Sequence, residues 1–258
     1  MTQHYSQANP CCTVKGPEDG FPLVLIHGSV VSKESWIPQL EDLSDEYRVI
    51  AVDLPGHGTR AGIPFSYERS SRILGEVIRS ETDQPAAVAG LSLGGYAAIE
   101  FAAANPELVR VLILSGCRPR IMGALAMYLK TVGWLMKNSW LKTSCEKARE
   151  RVRKMYPQEL KEAANFQIEA GVFPEALGDV FLEMAGKDYA ARLKATGIPA
   201  FLMNGELDRD SRRGEELFLK ADPGIEVKVI PGARHAVCFD QPRLYNAALR
   251  EILDRKST

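Results

Sequence analysis

A chain of 258 residues with 45% hydrophobic and 25% charged side chains has the make-up of an ordinary globular protein, with a core large enough to need no disulfide or metal staple. Its formal net charge of -1 gives no electrostatic case for a nucleic-acid partner, and no apolar run approaches the roughly 20 residues of a membrane helix. The start, Met1 to Gln7, lacks the basic and apolar stretches of a signal peptide, and none of Cys11, Cys12, Cys117, Cys145 and Cys238 forms a CxxC pair. Reduced thiols and a cytoplasmic location are therefore expected, with neither metal nor cofactor, since no metal-ligand spacing stands out.

Along the chain, Thr13-Val14-Lys15 reads as a short edge strand. Apolar, β-prone runs follow at Leu23–Ile26, Val49–Val52, Ala86–Ala89, Val109–Leu114, Ala200–Met203 and Val227–Ile230. Helical patterns lie between them at Glu68–Arg79, Leu93–Ala104, Arg213–Lys220 and Pro242–Arg255. Near-continuous apolar strands alternating with helices predict an α/β fold, a mostly parallel central sheet flanked by helices on both faces. The rhythm breaks between Arg118 and Thr196, where no convincing strand is found. The patterns there are helical, at Leu125–Leu129, Val132–Leu135 and Phe181–Met184. At about 80 residues this is too long for an ordinary connection, so 118–196 is expected to be a helical subdomain inserted into a core of 1–117 and 197–258.

Gly90-Leu91-Ser92-Leu93-Gly94-Gly95 follows the third of these runs and opens an Ala-rich helix. It is G-x-S-x-G in a strand-turn-helix setting. The chain must reverse so sharply there that side chains at 90 and 94 would collide, and the central serine is forced into a strained conformation. The bend lifts the Ser92 hydroxyl above the sheet and points the Leu93 N–H, at the positive end of a helix, at the same space. A serine hydroxyl needs a base to remove its proton. Of the four histidines, His4 lies near the chain start, and His27 and His57 sit in glycine turns where they are expected to brace the backbone. His235 follows the last strand, at the sheet edge where Ser92 emerges, and is the expected base. A third group must orient the base, and three acids crowd one loop: Glu206, Asp208 and Asp210.

Four blocks in this order resemble the α/β-hydrolase superfamily: Leu25-Ile26-His27-Gly28-Ser29, Asp53-Leu54-Pro55-Gly56-His57-Gly58, the serine turn, and Asn204-Gly205-Glu206-Leu207-Asp208 with Gly232-Ala233-Arg234-His235. The resemblance covers nearly all of the chain outside the insertion. It implies a triad of Ser92, Asp208 and His235, an oxyanion hole of the Ser29 and Leu93 backbone N–H groups, and a helical cap over the site. It implies a serine hydrolase acting on a carboxylic ester, thioester or lactone of a small, partly apolar substrate through an acyl-serine. Its alternatives are carbon–carbon bond hydrolysis, a hydroxynitrile-lyase-like reaction with the same triad as acid and base, and a non-catalytic receptor. Relatives that use aspartate as nucleophile are disfavoured by Ser92.

Within the insertion, Trp134, Tyr128 and Trp140, with Met136, Met155 and Phe166, are candidate walls of a substrate pocket; packing of the cap on itself is the competing account. Its first half is basic: Arg118, Arg120, Lys130, Lys137, Lys142, Lys147, Arg149, Arg151, Arg153 and Lys154 face only Glu146 and Glu150. A solvated helix face accounts for this, and so does attraction of an anionic substrate to the pocket mouth.

Overall fold

The computed structural model describes residues 11–255 except 139, 142, 156, 157, 159 and 160. His4 and Lys142 lie outside the described residues, as does the side chain of Met155. Strands form at β1 (Cys12–Lys15), β2 (Pro22–Ile26), β3 (Arg48–Val52), β4 (Ala86–Leu91), β5 (Val109–Ser115), β6 (Arg120–Ile121), β7 (Lys187–Asp188), β8 (Ala200–Gly205) and β9 (Glu226–Ile230). Seven of them make one sheet in the order β1-β3-β2-β4-β5-β8-β9. All neighbours are parallel except β1, which runs antiparallel to β3 at the edge.

The near-continuous apolar character of the inner strands follows from cover on both faces. Val24, Ile26, Ile50, Val52, Val88, Leu112 and Leu114 point to one face. There they meet helices α2 (Tyr67–Glu81) and α3 (Leu93–Ala104). The alternate residues Leu23, Leu25, Val49, Ala51, Val111 and Ile113 point to the other. That face is covered by α1 (Ile37–Leu43) and, at the chain's end, by a short helix (Val237–Asp240) and a longer one (Pro242–Asp254). Helix α1 has no counterpart among the expected helices. It is short, and Pro38 sits in its first turn, where a missing N–H does no harm but the sequence reads as a break.

Between β5 and β8 the chain forms the inserted helical region: α4 (Gly123–Lys137), α5 (Cys145–Met155), α6 (Lys161–Ala170), α7 (Leu177–Met184) and α8 (Tyr189–Thr196). Two differences from the sequence reading appear here. The patterns at Leu125–Leu129 and Val132–Leu135 belong to the single helix α4. The region also holds β6 and β7, paired antiparallel with Arg120 opposite Asp188. Two-residue strands are too short to leave a periodic signal. Helices α4 and α7 meet through glycines: a methyl group on Gly133 would lie 2.9 Å from the Gly178 carbonyl oxygen, and one on Gly178 would lie 2.8 Å from the Lys137 nitrogen. With the C-terminal helices α9 (Arg209–Ala221), α10 (Val237–Asp240) and α11 (Pro242–Asp254) the fold is complete. Among the described residues no helix is long and apolar enough to cross a membrane.

Strand order determines where a site can form. The chain after β2 leaves toward β3 on one side, whereas the chain after β4 leaves toward β5 on the other. Such a reversal opens a crevice at the C-terminal ends of the two central strands. Residues 27–29 and Ser92 lie at those two ends.

Candidate active site

The turn after β4 is as tight as its glycines require. Ser92 has φ 52° and ψ -111°, one of two non-glycine residues with positive φ among those described. A methyl group on Gly90 would overlap the Gly94 backbone, and one on Gly94 would overlap the carbonyl oxygen of Ile26 in β2. The Ser92 N–H donates to the Ser115 carbonyl at the end of β5, 2.7 Å away, so the bend is tied to the neighbouring strand. Gly94→Ala should therefore lower stability by at least about 2 kcal/mol, because backbone must move away from backbone. Urea denaturation tests it, and an unchanged midpoint would contradict this steric account.

His235 stands between β9 and α10 with its ring half exposed. Its Nδ1 lies 2.8 Å from Asp208 Oδ2. The ring rests on Gly116, where a methyl group would come within 2.8 Å of Cε1. Gly116 adopts φ 68° and immediately follows Ser115, the residue that holds the Ser92 N–H. The imidazole and the serine turn thus flank one stretch of backbone. Among the described residues there is no hydrogen bond between the Ser92 hydroxyl and His235; in unliganded sites such contacts are often long and close only around substrate.

Asp208 caps the N-terminus of α9, accepting from the Ser211 N–H and, at 2.6 Å, from the Ser211 hydroxyl. Burial alone would raise its pKa, but the hydrogen bonds from His235 and Ser211 outweigh it and hold the carboxyl at about 2. The other two acids go elsewhere. Glu206 accepts from the Gly232 N–H, and Asp210 pairs with Arg118 at 2.7 Å on the surface.

His27 and His57 brace loops. His27 Nε2 accepts from the Leu54 N–H at 3.0 Å, and His57 Nε2 accepts from the Val30 N–H at 3.3 Å. Burial lowers the pKa of both, that of His57 to about 3, so the rings are neutral and able to accept. Val30, next to Ser29, has φ 64°, a costly conformation for a β-branched residue. It is held from two sides, by His57 on its N–H and by the Phe173 N–H on its carbonyl at 2.9 Å. Ser29 is half-buried at the end of β2, and Leu93 is buried in the first turn of α3.

Beneath this loop lies Asp53, fully buried at the end of β3. It accepts from the Lys33 N–H, the Lys33 ammonium at 3.0 Å, and the Thr59 N–H and hydroxyl. The Lys33 ammonium also reaches Glu34 at 3.0 Å, so it keeps one carboxylate if Asp53 is removed. Asp53→Ala should still cost about 3 kcal/mol, and more than Lys33→Met, because it strips the buried Lys33 N–H and both Thr59 donors of their acceptor, whereas the lysine variant leaves the carboxylate those three donors. Chemical denaturation of the two variants tests this; a larger loss in the lysine variant would reverse it.

Several supporting residues went unread in the sequence. Asn204 Oδ1 accepts from the Gly116 N–H, while its Nδ2 donates to Glu215. Asp240 accepts from the Arg234 N–H and pairs with the Arg234 guanidinium, fixing the residue before His235. Asn204 stood in one of the four matching blocks, but nothing in its spacing marked it as the partner of Gly116. The expected pocket walls lie at the surface: Tyr128, Trp134 and Trp140 are 62%, 54% and 78% exposed, and Phe166 is exposed too. A cleft of about 390 Å³ beside His235 is lined instead by Arg151, Lys154, Arg234, Ala236 and Asp240. Of the basic residues of the insertion, Arg118, Arg120 and Lys137 reach Asp210, Asp188 and Asp179, acids that lie outside the segment first compared with them.

A mostly parallel sheet with a serine on a strained strand-to-helix turn, beside a carboxylate-bound histidine and under a helical insertion, defines the hydrolase class of α/β proteins. The chain belongs to the Alpha/beta hydrolase family, whose sequence profile matches residues 23–248. It is 26% identical over 253 residues to the carboxylesterase YbfK of Bacillus subtilis, a match covering 92% of this chain and 82% of that one. It is 27% identical over 247 residues to a pimeloyl-[acyl-carrier protein] methyl ester esterase of Edwardsiella ictaluri, covering 91% and 94%. The structure of a thermophilic esterase from Thermogutta terrifontis superposes with a TM-score of 0.80 at 26% identity, over 100% of this chain and 99% of that one.

Proposed function

We propose that this protein hydrolyses a carboxylic ester, thioester or lactone of a small substrate through an acyl-Ser92 intermediate. The observation that carries the reading is the 2.8 Å hydrogen bond between His235 Nδ1 and Asp208 Oδ2, with the imidazole seated on Gly116 beside the Ser92 turn. The carboxylate fixes the tautomer with the proton on Nδ1, leaving Nε2 to take the serine proton. Ser92 Oγ then attacks the carbonyl carbon, and the oxyanion is received by the N–H groups of Leu93 and Ser29. His235 passes the proton to the leaving oxygen or sulfur. In the second half it takes a proton from water, which attacks the acyl-enzyme and frees Ser92. Asp208 stays ionised throughout, in keeping with its lowered pKa.

The residues 118–196 act in this reading as a cap over a core of 1–117 and 197–258, and the protein works in the cytoplasm. The esterase names of several relatives support the ester class. The test is a fluorophosphonate probe, read by mass spectrometry, alongside p-nitrophenyl esters of increasing chain length. An adduct on Ser92 with ester turnover is the expected result. An adduct without turnover favours the lyase or receptor alternatives, and no adduct removes the nucleophile assignment.

A further inference from the structure

Helix α5 carries the basic stretch of the insertion to the candidate base. Ala148 and Val152, one turn apart, are buried and pin the helix to the core, which turns its charged residues outward. Lys147, Arg149, Arg151, Arg153 and Lys154 stand there against Glu146 and Glu150, a local excess of positive charge in a chain of formal net charge -1. Arg151 and Lys154 wall the same cleft as His235.

The acids near that cleft are already engaged. Asp240 is buried and bound by Arg234, and Glu150 pairs with Lys154 at 2.6 Å. Arg151 has no carboxylate partner among the described residues. With Asp208 at 2.8 Å from His235 the charges around the cleft balance, and the cation left over is the Arg151 guanidinium, since Lys154 and Arg234 each have a carboxylate of their own. A guanidinium offers a planar fork of donors that matches a carboxylate in two parallel hydrogen bonds.

Resting on the serine-hydrolase reading above, we infer that the ester cleaved here carries a carboxylate, which Arg151, with Lys154 beside it, receives in the cleft next to His235. Two pairs of probes separate charge from shape: mono-p-nitrophenyl adipate against p-nitrophenyl hexanoate, and 4-acetoxybenzoate against its methyl ester. The first pair puts the charge on the acyl side and the second on the alcohol side. In at least one pair the ratio of charged to neutral kcat/KM should fall about tenfold or more in the Arg151→Gln/Lys154→Gln variant. It should also fall severalfold in wild type between 50 and 500 mM NaCl, roughly the range over which the screening length drops below the size of the cleft. Lys220→Gln, an exposed charge near the end of α9 and outside the insertion, should leave the ratio unchanged. A ratio insensitive to both salt and the double variant in both pairs overturns the inference, as does an equal fall in the Lys220 variant. Adipate binding, read as a rise in Tm, needs no turnover. Stabilisation of wild type but not of the double variant supports the anion site even if none of the esters is hydrolysed, a result that would remove the hydrolase reading alone; equal stabilisation of both proteins overturns the site.

Discussion

Ser92→Ala is expected to abolish fluorophosphonate labelling and to lower kcat for any ester substrate at least about 10³-fold, with the fold intact. The size follows from the role: without the hydroxyl no acyl-enzyme forms, and only the oxyanion donors and substrate positioning remain to accelerate attack by water. The intact fold follows from the backbone. The turn at φ 52° is held by Gly90, Gly94 and the bond from the Ser92 N–H to Ser115, and alanine keeps that N–H and the same Cβ. The comparison is between kcat and the circular dichroism and Tm of the same preparation. Ester turnover within tenfold of wild type in a folded variant would end the assignment.

Asp208→Asn is expected to lower kcat by about 10³–10⁴-fold. The amide is close in shape to the carboxylate but carries no charge, so it neither holds His235 in the required tautomer nor stabilises the imidazolium that forms during the reaction. The same substitution changes stability in a pH-dependent way. The folded Asp208 carboxyl has a pKa of about 2 against an ordinary value of 3.8. A depressed folded pKa contributes stability that is fully present above the ordinary value and is lost as pH falls through that window toward 2. The contribution is on the order of 2 kcal/mol. The part of the stability gap between wild type and the Asn variant that comes from the Asp208 carboxylate should therefore shrink as pH falls from about 4 to 2. Denaturation midpoints across that window check it; a gap that fails to shrink there would mean that Asp208 is not held ionised by its hydrogen bonds.

The parts of the protein legible in its sequence are those whose cause is local. Five of the six apolar runs became strands because residues buried on both faces of a sheet leave a continuous hydrophobic signature, while the sixth, Val227–Ile230, forms the edge strand β9 with only Ile230 buried. The serine turn was legible because Gly90 answers a steric demand within five residues and the G-x-S-x-G spacing marks it, although Gly94 is required by the approach of β2; the order of the motif blocks carried the family. The same locality explains the blind spots. Helix α1 begins with a proline turn, and α4 was read as two pieces because its exposed positions include Met127, Tyr128 and Trp134. An exposed aromatic residue looks the same in a sequence as a buried one.

By itself, then, the sequence determined the layered α/β architecture with an inserted helical region and the bend at Ser92, since backbone sterics and hydrophobic period act between near neighbours. The resemblance singled out Asp208 from Glu206, Asp208 and Asp210, but the spacing alone left the three open; which of them turns toward His235 depends on the direction each side chain takes at the start of α9, and that is seen only in the tertiary structure. It alone decided that Val30 is held in a left-handed conformation between His57 and Phe173, and that Arg151 and Lys154, and not the aromatic residues of α4, wall the cleft beside the imidazole. Those contacts join residues 27 to 143 positions apart in the chain, and no periodicity in a sequence encodes which distant surfaces will meet once the core has closed.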